Sequence, residues 1–437
     1  MSRFTGEEKL IARTAAFKRE IIRINDQVYF ATGYGGSNAT LIIGEESCIL
    51  VDALNGCQVA KEALADFRRI TDKPIKTLIY THYHHFDHTG GAGALVDDDC
   101  EIIARTASFP QLGRSQLVSD VFARRSARQF GVGLTPEEVV SIGIGPLNDV
   151  NSQKCMRKPK RFFTEERLEL AIDGVDIVLA AAPGETDDQL FVWLPQWEIL
   201  CCGDNYYASW PNLYAIRGGQ YRDVDSWVRV LEAMQAQNAQ VLLPGHTEPI
   251  IGREAVKQTL GNYHDAICYV LEETLKGMNA GKSADELAAE IELPEAWRDL
   301  PYLQEYYGTV SGAVRSIFCG YMGWFDGNPT DLDPTPPALK AQKTIQAMGG
   351  ADKVYALAES ALAEEDEQWA CELCDLLLDA GERADDARPL KGQALALIAR
   401  KQTSANYRHY YIACSKELLG SAPQATLTAA SQDIAKK

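Results

Sequence analysis

Eleven consecutive residues decide how this chain folds and what it binds: Thr81-His82-Tyr83-His84-His85-Phe86-Asp87-His88-Thr89-Gly90-Gly91. They contain four of the seven histidines in the protein and one carboxylate. Imidazole nitrogen and carboxylate oxygen are the ligands of a borderline divalent metal such as zinc. Four neighbouring imidazoles repel one another once they are protonated, and a bound metal keeps them neutral. The stretch therefore predicts a metal site.

The residues on either side predict where that site lies. Residues 76–80 form a short apolar run after Pro74 that is typical of a buried strand, and Gly90 and Gly91 follow the histidines. Open α/β sheets place their sites at the carboxyl ends of strands. The alternative is a solvated, histidine-rich loop that binds metal loosely. The strand, the aspartate and the small residues around the histidines favour a built site.

Length and composition limit the class of protein. A chain of 437 residues with 46% hydrophobic and 24% charged residues indicates a soluble globular protein of two or three domains. The net charge of −18 argues against a nucleic-acid partner, which requires a basic face. An anionic substrate stays open, because metal ions create a local positive field. No run has the apolar length of a signal peptide or a membrane span, so we expect a cytoplasmic protein.

The eleven cysteines are scattered, and we expect most of them to be reduced, buried thiols. Cys201 and Cys202 are adjacent at the end of a predicted strand. The single C-x-x-C sequence, Cys371 to Cys374, lies in a helical pattern without a second pair to complete a zinc site. It predicts two core thiols one helical turn apart.

The chain repeats one order of elements twice. Each half contains β-type patterns, then a helical pattern, then a strand that delivers histidine. The β-type patterns lie at 20–24, 27–31, 39–43, 48–52, 76–80, 102–104, 175–182, 189–194, 198–202 and 241–243, and the helical patterns lie at 59–70 and 224–236. Residues 132–151 are glycine-rich and predict a lid or insertion. Pairing the halves predicts an α/β fold, a four-layer αββα sandwich with the site along one edge.

The part of the chain after about residue 262 is predicted to be mainly helical. Three prolines within 331–337 cannot continue a helix, so this stretch predicts a linker or boundary. No further cluster of metal ligands follows. We therefore expect the helical part to serve as a scaffold or dimer interface.

Donors also follow three later strands. They are Asp187 or Asp188, Asp204, and His246. An aspartate after a strand is also a common helix cap or turn residue, which for Asp204 alone is an equal alternative. The appearance of three such places favours a metal. Chemistry alone does not separate Asp187 from Asp188. His264 and His409 lie in helical patterns and are predicted to be surface or packing residues.

These residues resemble the metallo-β-lactamase superfamily, whose signature is a T-H-x-H-x-D-H loop after a strand. Within it the chain resembles the alkyl sulfatase branch, the type III sulfatases. The closer resemblance is carried by residues 33–40, 182–186, 211–218, 306–311 and 323–329. It implies a catalytic αββα domain over 1–260 and an all-helical dimerisation domain over 261–437. Longer members add a sterol-carrier-like domain, and we expect this chain to stop before it.

The resemblance also implies a set of site residues. It implies two zinc ions, or another divalent metal, held by His82, His84 and Asp188, by Asp87, His88 and His246, and by Asp204 as the bridge. We expect Asp87 to be the catalytic residue of this set. Asn212 and Arg217 match positions that hold the sulfate group, and a planar guanidinium suits a tetrahedral anion.

Two departures from the family pattern bear on the prediction. The sequence His84-His85-Phe86-Asp87 replaces His-x-Asp. Counting from the strand end favours His84 as the ligand, which we adopt, whereas counting back from Asp87 favours His85. After Ser311, alkyl sulfatases commonly have His-Asn, with a histidine implicated at the sulfate ester, and this chain has Gly312-Ala313.

The predicted function is a dinuclear zinc hydrolase that cleaves alkyl sulfate esters to alcohol and sulfate with a metal-activated water. One alternative is a hydrolase of the same fold acting on another ester, a thioester, a lactone, a β-lactam or a phosphoester, which Gly312 favours. The other is a non-catalytic, dimeric metal-binding protein. The expected partners are an anionic small-molecule ester and a second copy of the chain, with no nucleic acid and no membrane span.

Overall fold

The computed structural model describes residues 4–83, 86–106, 115–147 and 153–420. Two β-sheets face each other. The first contains seven strands in the order β1-β2-β3-β4-β5-β6-β7, and the second contains six in the order β13-β12-β11-β10-β9-β8. The strands of the first sheet are β1 (Glu20–Arg23), β2 (Val28–Thr32), β3 (Ala39–Ile43), β4 (Cys48–Val51), β5 (Ile75–Ile79), β6 (Glu101–Arg105) and β7 (Arg161–Phe163). Those of the second are β8 (Arg167–Ile172), β9 (Val175–Ala181), β10 (Leu190–Leu194), β11 (Ile199–Gly203), β12 (Val241–Pro244) and β13 (Ile250–Ile251).

Helices cover the outer faces of the sheets and form the C-terminal region. In chain order they are α1 (Thr5–Ala16), α2 (Cys57–Phe67), α3 (Phe86–Thr89), α4 (Ala92–Leu95), α5 (Ser119–Gln129), α6 (Pro136–Val139), α7 (Val224–Ala236), α8 (Arg253–Asn279), α9 (Ala284–Glu290), α10 (Glu295–Arg298), α11 (Val310–Met322), α12 (Pro337–Ala347), α13 (Ala351–Ala363), α14 (Glu367–Ala380), α15 (Ala384–Lys401) and α16 (Ala405–Leu418). Short 3₁₀ turns lie at Ser115–Val118, Pro301–Leu303 and Pro329–Asp331. Within the described ranges, none of the helices combines the length and apolar character needed to cross a bilayer.

The two sheets share one apolar core. Phe30 and Ile49 from the first sheet pack in the same cluster as Leu179, Val192 and Leu243 from the second. A second cluster lies between the first sheet and α2 and α4, and a third joins the second sheet to α7, α8 and α11. Because each sheet is covered on both faces, its central strands, such as β4, β10 and β11, are almost continuously apolar. The predicted αββα sandwich followed by a helical region is confirmed.

Strand direction positions the site. Strands β1 to β4 form the predicted antiparallel meander, and β4 to β7 then pair in parallel. In the second sheet β11 and β12 pair in parallel. The carboxyl ends of β4 and β5 therefore lie together, as do those of β11 and β12. The loops that carry the predicted donors leave from these ends.

The sequence missed several elements. Strands β7 and β8 were not predicted, because β8 carries two charged residues, Arg167 and Glu169, and lies at a sheet edge with every second residue exposed. Helix α1 was also missed, and the helix expected from residue 262 begins at Arg253. The expected irregular stretch at 132–151 contains α6, and its last residues lie outside the described part of the chain.

The prolines of 331–337 interrupt the helical region as predicted. No helix lies between Asp331 and Pro337, and α12 begins with Pro337, where a missing N–H is tolerated. The division expected between residues 260 and 261 falls inside α8, which runs through that point without a break. That division stays a prediction.

Most described cysteines are free, and Cys201, Cys202, Cys371 and Cys374 are buried thiols as predicted. The exception is a disulfide between Cys57, at the start of α2, and Cys155. It was not predicted. The same segment pairs with the glycines after the histidine loop, because Cys155 N–H donates to Gly90 O at 2.7 Å.

Candidate metal centre

Three strand ends deliver the candidate donors to one edge of the sandwich. His82 follows β5, and Asp87 and His88 lie on α3 directly after it. Asp204 follows β11 and His246 follows β12. These five residues, separated by more than 150 positions along the chain, come together in the folded protein. His82, His88, Asp204 and His246 are each at most 3% exposed, so this is a buried polar cluster.

Asp204 lies at the centre of the cluster. Its Oδ1 is 3.2 Å from Nε2 of His88, and its Oδ2 is 3.6 Å from Nε2 of His82 and 3.4 Å from Nε2 of His246. Asp87 is on the open side, with 39% of its side chain exposed. Its Oδ2 is 3.5 Å from Nε2 of His246 and 3.8 Å from Nε2 of His88.

The spacing of these atoms fits a divalent metal. Ligand atoms about 2.0–2.1 Å from a tetrahedral ion lie roughly 3.3–3.4 Å from one another. The measured separations of 3.2 to 3.8 Å fall around that value. Donor atoms of Asp87, His88, Asp204 and His246 all lie within 4.8 Å of one another. Two carboxylates and neutral imidazoles are a suitable ligand set for zinc.

The histidines are also oriented as metal ligands are. Nδ1 of His88 is 2.9 Å from Oδ2 of Asp52, and Nδ1 of His246 is 2.5 Å from the carbonyl oxygen of Gly36. Nδ1 of His82 is 3.2 Å from Oγ1 of Thr81. In each case Nδ1 has its own partner, and Nε2 faces the cluster. Such partners fix the tautomer in which Nε2 is free to bind a metal.

The electrostatics of the cluster favour a positive charge. Burial by itself would lower the pKa of His88, but the charges of Asp204, Asp52 and Asp87 raise that pKa well above its usual value. Burial would raise the pKa of Asp204, and the three histidines hold it well below its usual range. The carboxylates therefore attract cations, either protons on the imidazoles or a divalent metal.

Comparisons with known proteins agree with this geometry. The metallo-beta-lactamase superfamily model matches residues 32–246, and the alkyl sulfatase dimerisation model matches residues 283–421. The chain is 34% identical over 391 residues to a linear primary-alkylsulfatase of Pseudomonas sp., covering 87% of this chain and 74% of that protein. It is 30% identical over 429 residues to an alkyl/aryl-sulfatase of Saccharomyces cerevisiae, covering 95% and 66%.

A solved structure also matches most of the chain. The stereoselective inverting sec-alkylsulfatase from Pseudomonas sp. superposes with a TM-score of 0.84 at 28% identity, over 93% of this chain and 66% of that one. The chain belongs to the alkylsulfatase branch of the metallo-β-lactamase superfamily. By class it is a metal-dependent hydrolase. It spans between 63% and 74% of the length of its curated alkylsulfatase relatives.

Of the two aspartates that sequence could not separate, Asp188 lies against the histidine loop. It is fully buried, and its Oδ2 accepts the backbone N–H of Tyr83 at 2.9 Å. Asp187 is partly exposed, and its Oδ2 accepts a hydrogen bond from Gln220 at 3.0 Å. His84 and His85 lie outside the described residues, so the choice between them stays a prediction.

The alkylsulfatase-type residues Asn212 and Arg217 lie on the segment between β11 and α7, where Asn212 is buried and Arg217 is partly buried. The N–H of Asn212 donates to the Tyr207 hydroxyl at 2.7 Å, and its carbonyl accepts from Arg222 at 2.5 Å. Its side chain is buried, and Nδ2 has no hydrogen-bond partner among the described residues. A buried amide donor of this kind is suited to a ligand oxygen.

Arg217 is held close to the same place. Its backbone N–H donates to Oε1 of the buried Gln129 at 3.0 Å, and its guanidinium lies 5.6 Å from the centre of the Phe130 ring. Burial and the charge of Arg222 lower its pKa, and the carboxylates of Glu185 and Asp87 oppose that effect. The charge of Arg217 is therefore within electrostatic reach of the metal donors.

Gly312 lies in the first turn of α11, where the alkylsulfatase pattern has histidine. A Cβ atom at this position would lie 2.2 Å from the ring of Tyr214. The Tyr214 hydroxyl is 3.3 Å from Oγ1 of Thr309, the residue that caps α11. The tyrosine ring thus occupies the space that a side chain at residue 312 would need.

Sequence reasoning missed the residues that support the site. Asp52 orients His88, Gln129 holds the Arg217 loop, and Arg222 with Glu185 holds Asn212. Only Asp52 had a usable signal, since it directly follows β4 at the same sheet edge as the histidine loop.

Proposed function

We propose that this protein hydrolyses alkyl sulfate esters to an alcohol and inorganic sulfate, with two zinc ions bound at the strand ends. The observation that carries the proposal is the pair of Asn212 and Arg217, which we call the anion pocket and whose guanidinium interacts electrostatically with the metal donor Asp87. The unpartnered amide nitrogen of Asn212 and the partly buried guanidinium of Arg217 suit a tetrahedral anion.

One metal would be held by His82, His84 and Asp188, a second would be held by Asp87, His88 and His246, and Asp204 would contribute to both. The contacts of Asp204 with three histidines support its bridging role. The contacts of Asp87 with His88 and His246 support the second set. The burial of Asp188 against Tyr83 supports its choice over Asp187.

Each part of the site has a task in the reaction. When bound, zinc lowers the pKa of a bound water to about 7, which supplies hydroxide at neutral pH. Arg217 and Asn212 bind sulfate oxygens and stabilise the negative charge on the departing anion. Asp87 is the proposed catalytic residue, because its carboxylate lies beside His246 and its side chain is the more exposed of the two.

The alkyl group requires an apolar surface near Arg217. Helix α5 packs against Gly218, the residue after Arg217, because a Cβ at Gly218 would lie 3.0 Å from the Phe122 ring. The start of α5 and the turn before it expose Leu117, Val118 and Val121. We propose that this apolar surface, within the insertion around residues 105–160, contacts the alkyl chain of the substrate.

We propose that the protein is a homodimer, as the description of the matched helical family model suggests. The end of α11, the segment after it and the start of α12 expose several large apolar side chains, which we propose are covered in the dimer. They are Tyr321, Met322, Trp324, Leu332 and Leu339, with Trp324 76% exposed. Light scattering of wild type and Trp324→Ser tests this surface.

We propose a cytoplasmic location, because most of the described cysteines are free thiols. The disulfide between Cys57 and Cys155 counts against it, because disulfides are rare in the reducing cytosol. Alkylation of the thiols in intact cells, followed by mass spectrometry of both cysteines, tests the location.

A second candidate is hydrolysis of a different ester on the same fold. The filled space beside Gly312 favours it, because the histidine of the alkylsulfatase pattern is absent there and Tyr214 takes its room. The buried amide of Asn212 and the charge of Arg217 favour an anionic ester in either case.

One experiment separates these functions. Metal per chain is measured on protein purified without chelator, beside hydrolysis of a medium-chain alkyl sulfate and of a panel of phosphoesters, lactones and β-lactams. About two metals per chain with sulfate release support the proposal. Two metals with turnover of another ester support the second candidate, and bound metal without any turnover supports a non-catalytic role.

A further inference from the structure

The turn that carries His246 has a strained backbone. Thr247, the next residue, has φ of 68° and is 2% exposed. The left-handed region is unfavourable for a β-branched side chain, and such a conformation persists only where the surrounding structure holds it. The contacts around this turn must therefore supply that support.

Asn38 supplies three of these contacts. It directly precedes β3 in the first sheet and is 4% exposed. Its side-chain Nδ2 donates to the carbonyl of Pro244 at 3.0 Å and to the carbonyl of Thr247 at 2.7 Å. Its backbone N–H donates to the carbonyl of Gly245 at 2.8 Å. One residue of the first sheet therefore binds three of the four carbonyls of residues 244–247, which follow a strand of the second sheet.

The segment that contains Asn38 also contacts two candidate metal donors. The carbonyl of Gly36 lies 2.5 Å from Nδ1 of His246. The hydroxyl of the buried Ser37 donates to the backbone carbonyl of Asp87. Residues 36–38 thus link a donor that follows β5 in the first sheet to a donor that follows β12 in the second.

The turn has little room to move. A Cβ atom at Gly245 would lie 2.5 Å from Oδ1 of Asp204 and 2.7 Å from the ring of His88. Nε2 of His246 is 3.4 Å from Oδ2 of the same aspartate. Because the turn packs directly against the donors, its backbone conformation sets where the imidazole of His246 points.

We propose that Asn38 is a positioning residue, whose amide holds Thr247 in its left-handed conformation and so directs Nε2 of His246 toward the other metal donors. The inference rests on the proposed function, since it takes His246 as a metal ligand. Asn38 acts through the backbone of residues 244–247. Its single amide group donates two hydrogen bonds, and alanine in its place removes both.

The test measures zinc affinity by competition with a chelator, metal per chain, and the melting temperatures of metal-free and zinc-loaded protein. We expect Asn38→Ala to weaken zinc binding roughly 10- to 100-fold, the loss typical when the support of a metal ligand is removed. The rise in melting temperature on adding zinc should shrink with it. Ser415→Ala is the matched control, because this 3% exposed hydroxyl donates to the carbonyl of Gly392 at 2.6 Å in the helical region. It should lose stability and keep its zinc affinity.

Thr247→Gly supplies the decisive comparison. Glycine adopts a positive φ without strain, so the turn then depends less on Asn38. We therefore expect Asn38→Ala/Thr247→Gly to bind zinc more tightly than Asn38→Ala alone. Equal zinc affinity in wild type and Asn38→Ala would overturn the inference, as would a double variant in which two separate losses multiply.

Asn38→Ser keeps the inference testable if Asn38→Ala does not fold. A single hydroxyl can donate to only one of the two carbonyls, so we expect a smaller loss of zinc affinity in the same direction. Wild-type zinc affinity in Asn38→Ser, with Asn38→Ala unfolded, would overturn the positioning role and leave Asn38 a purely structural residue. A wild-type protein that binds no zinc would instead refute the proposed function.

Discussion

Asp52 is the residue whose replacement tests the metal centre most directly. It is 3% exposed, and it accepts the Thr81 N–H and the Thr81 hydroxyl, each at 2.8 Å. Its Oδ2 also lies 2.9 Å from Nδ1 of His88. The residue has φ of 59°, in the left-handed region that asparagine tolerates. Asp52→Asn therefore keeps the backbone and the shape of the side chain, and changes one acceptor to a donor.

Asp52→Asn changes which ring nitrogen of His88 carries the hydrogen. The amide oxygen can still accept from Thr81 N–H, which places the amide nitrogen opposite Nδ1 of His88. Two N–H donors cannot face each other, so the imidazole hydrogen moves to Nε2. That is the atom that lies 3.2 Å from Asp204 and faces the cluster. Loss of such a partner typically weakens metal binding 10- to 100-fold, or about 1.4–2.8 kcal/mol.

The assay is competition for zinc against a chelator of known affinity, with metal per chain read by mass spectrometry. Asp173→Asn is the matched control. Asp173 also has a positive φ, of 50°, and accepts from Ser47 N–H and the Ser47 hydroxyl, but it lies in the turn between β8 and β9. We expect it to lose stability and keep its zinc affinity. Equal zinc affinity in wild type and Asp52→Asn, or an equal loss in both variants, would refute the reasoning.

Three further predictions concern the pocket and the helical region. Arg217→Ala should lower kcat/KM for an alkyl sulfate roughly 100-fold or more while metal per chain stays constant, because two charge-assisted hydrogen bonds are lost; an unchanged rate would exclude its role as an anion clamp. Gly312→Ala should lower the free energy of unfolding in urea by about 1–3 kcal/mol, since its Cβ would lie 2.2 Å from the Tyr214 ring. Gly261 lies in α8 with open space around it, so Gly261→Ala should leave that free energy unchanged or raise it. Equal effects of the two changes would contradict the packing beside α11. Burial lowers the pKa of His409 to about 4, below the unfolded value of about 6.5, so the unfolded chain binds this proton first. The free energy of unfolding should therefore fall by up to about 3 kcal/mol as pH drops from 6.5 to 4, and His409→Gln should remove that part of the slope in urea titrations; an unchanged slope would place the dependence elsewhere.

The order and type of most elements could be predicted, because each depends on a short stretch of sequence. The helix predicted over 224–236 matches α7 (Val224–Ala236). The strands that lead to His82 and His246 were predicted from short apolar runs, and the prolines of 331–337 interrupt the helices as expected. Spacing within one loop likewise identified the metal chemistry. The missed strands β7 and β8 carry charged residues in their first positions, which weakens the apolar signal.

The roles of individual carboxylates were decided only by the tertiary structure. Asp52 and Asp204 both follow apolar strands, and nothing local distinguishes them. Because β4 lies beside β5 in the first sheet, Asp52 faces Nδ1 of His88. Because β11 belongs to the opposite sheet, Asp204 faces Nε2 of the same ring. One aspartate therefore orients the histidine, and the other lies where a metal would bind.

The surroundings of the anion pocket were likewise decided by the tertiary structure. Sequence resemblance singled out Asn212, Arg217 and Gly312, but the Arg222–Glu185 pair and the Tyr214 ring against Gly312 join residues that are far apart along the chain. Sequence determined which chemical groups the protein carries and on which local element each one lies, since hydrophobic period and turn residues act over a few positions. The packing of two sheets and a helical region decided which groups meet, because contacts across a core depend on strand order and direction.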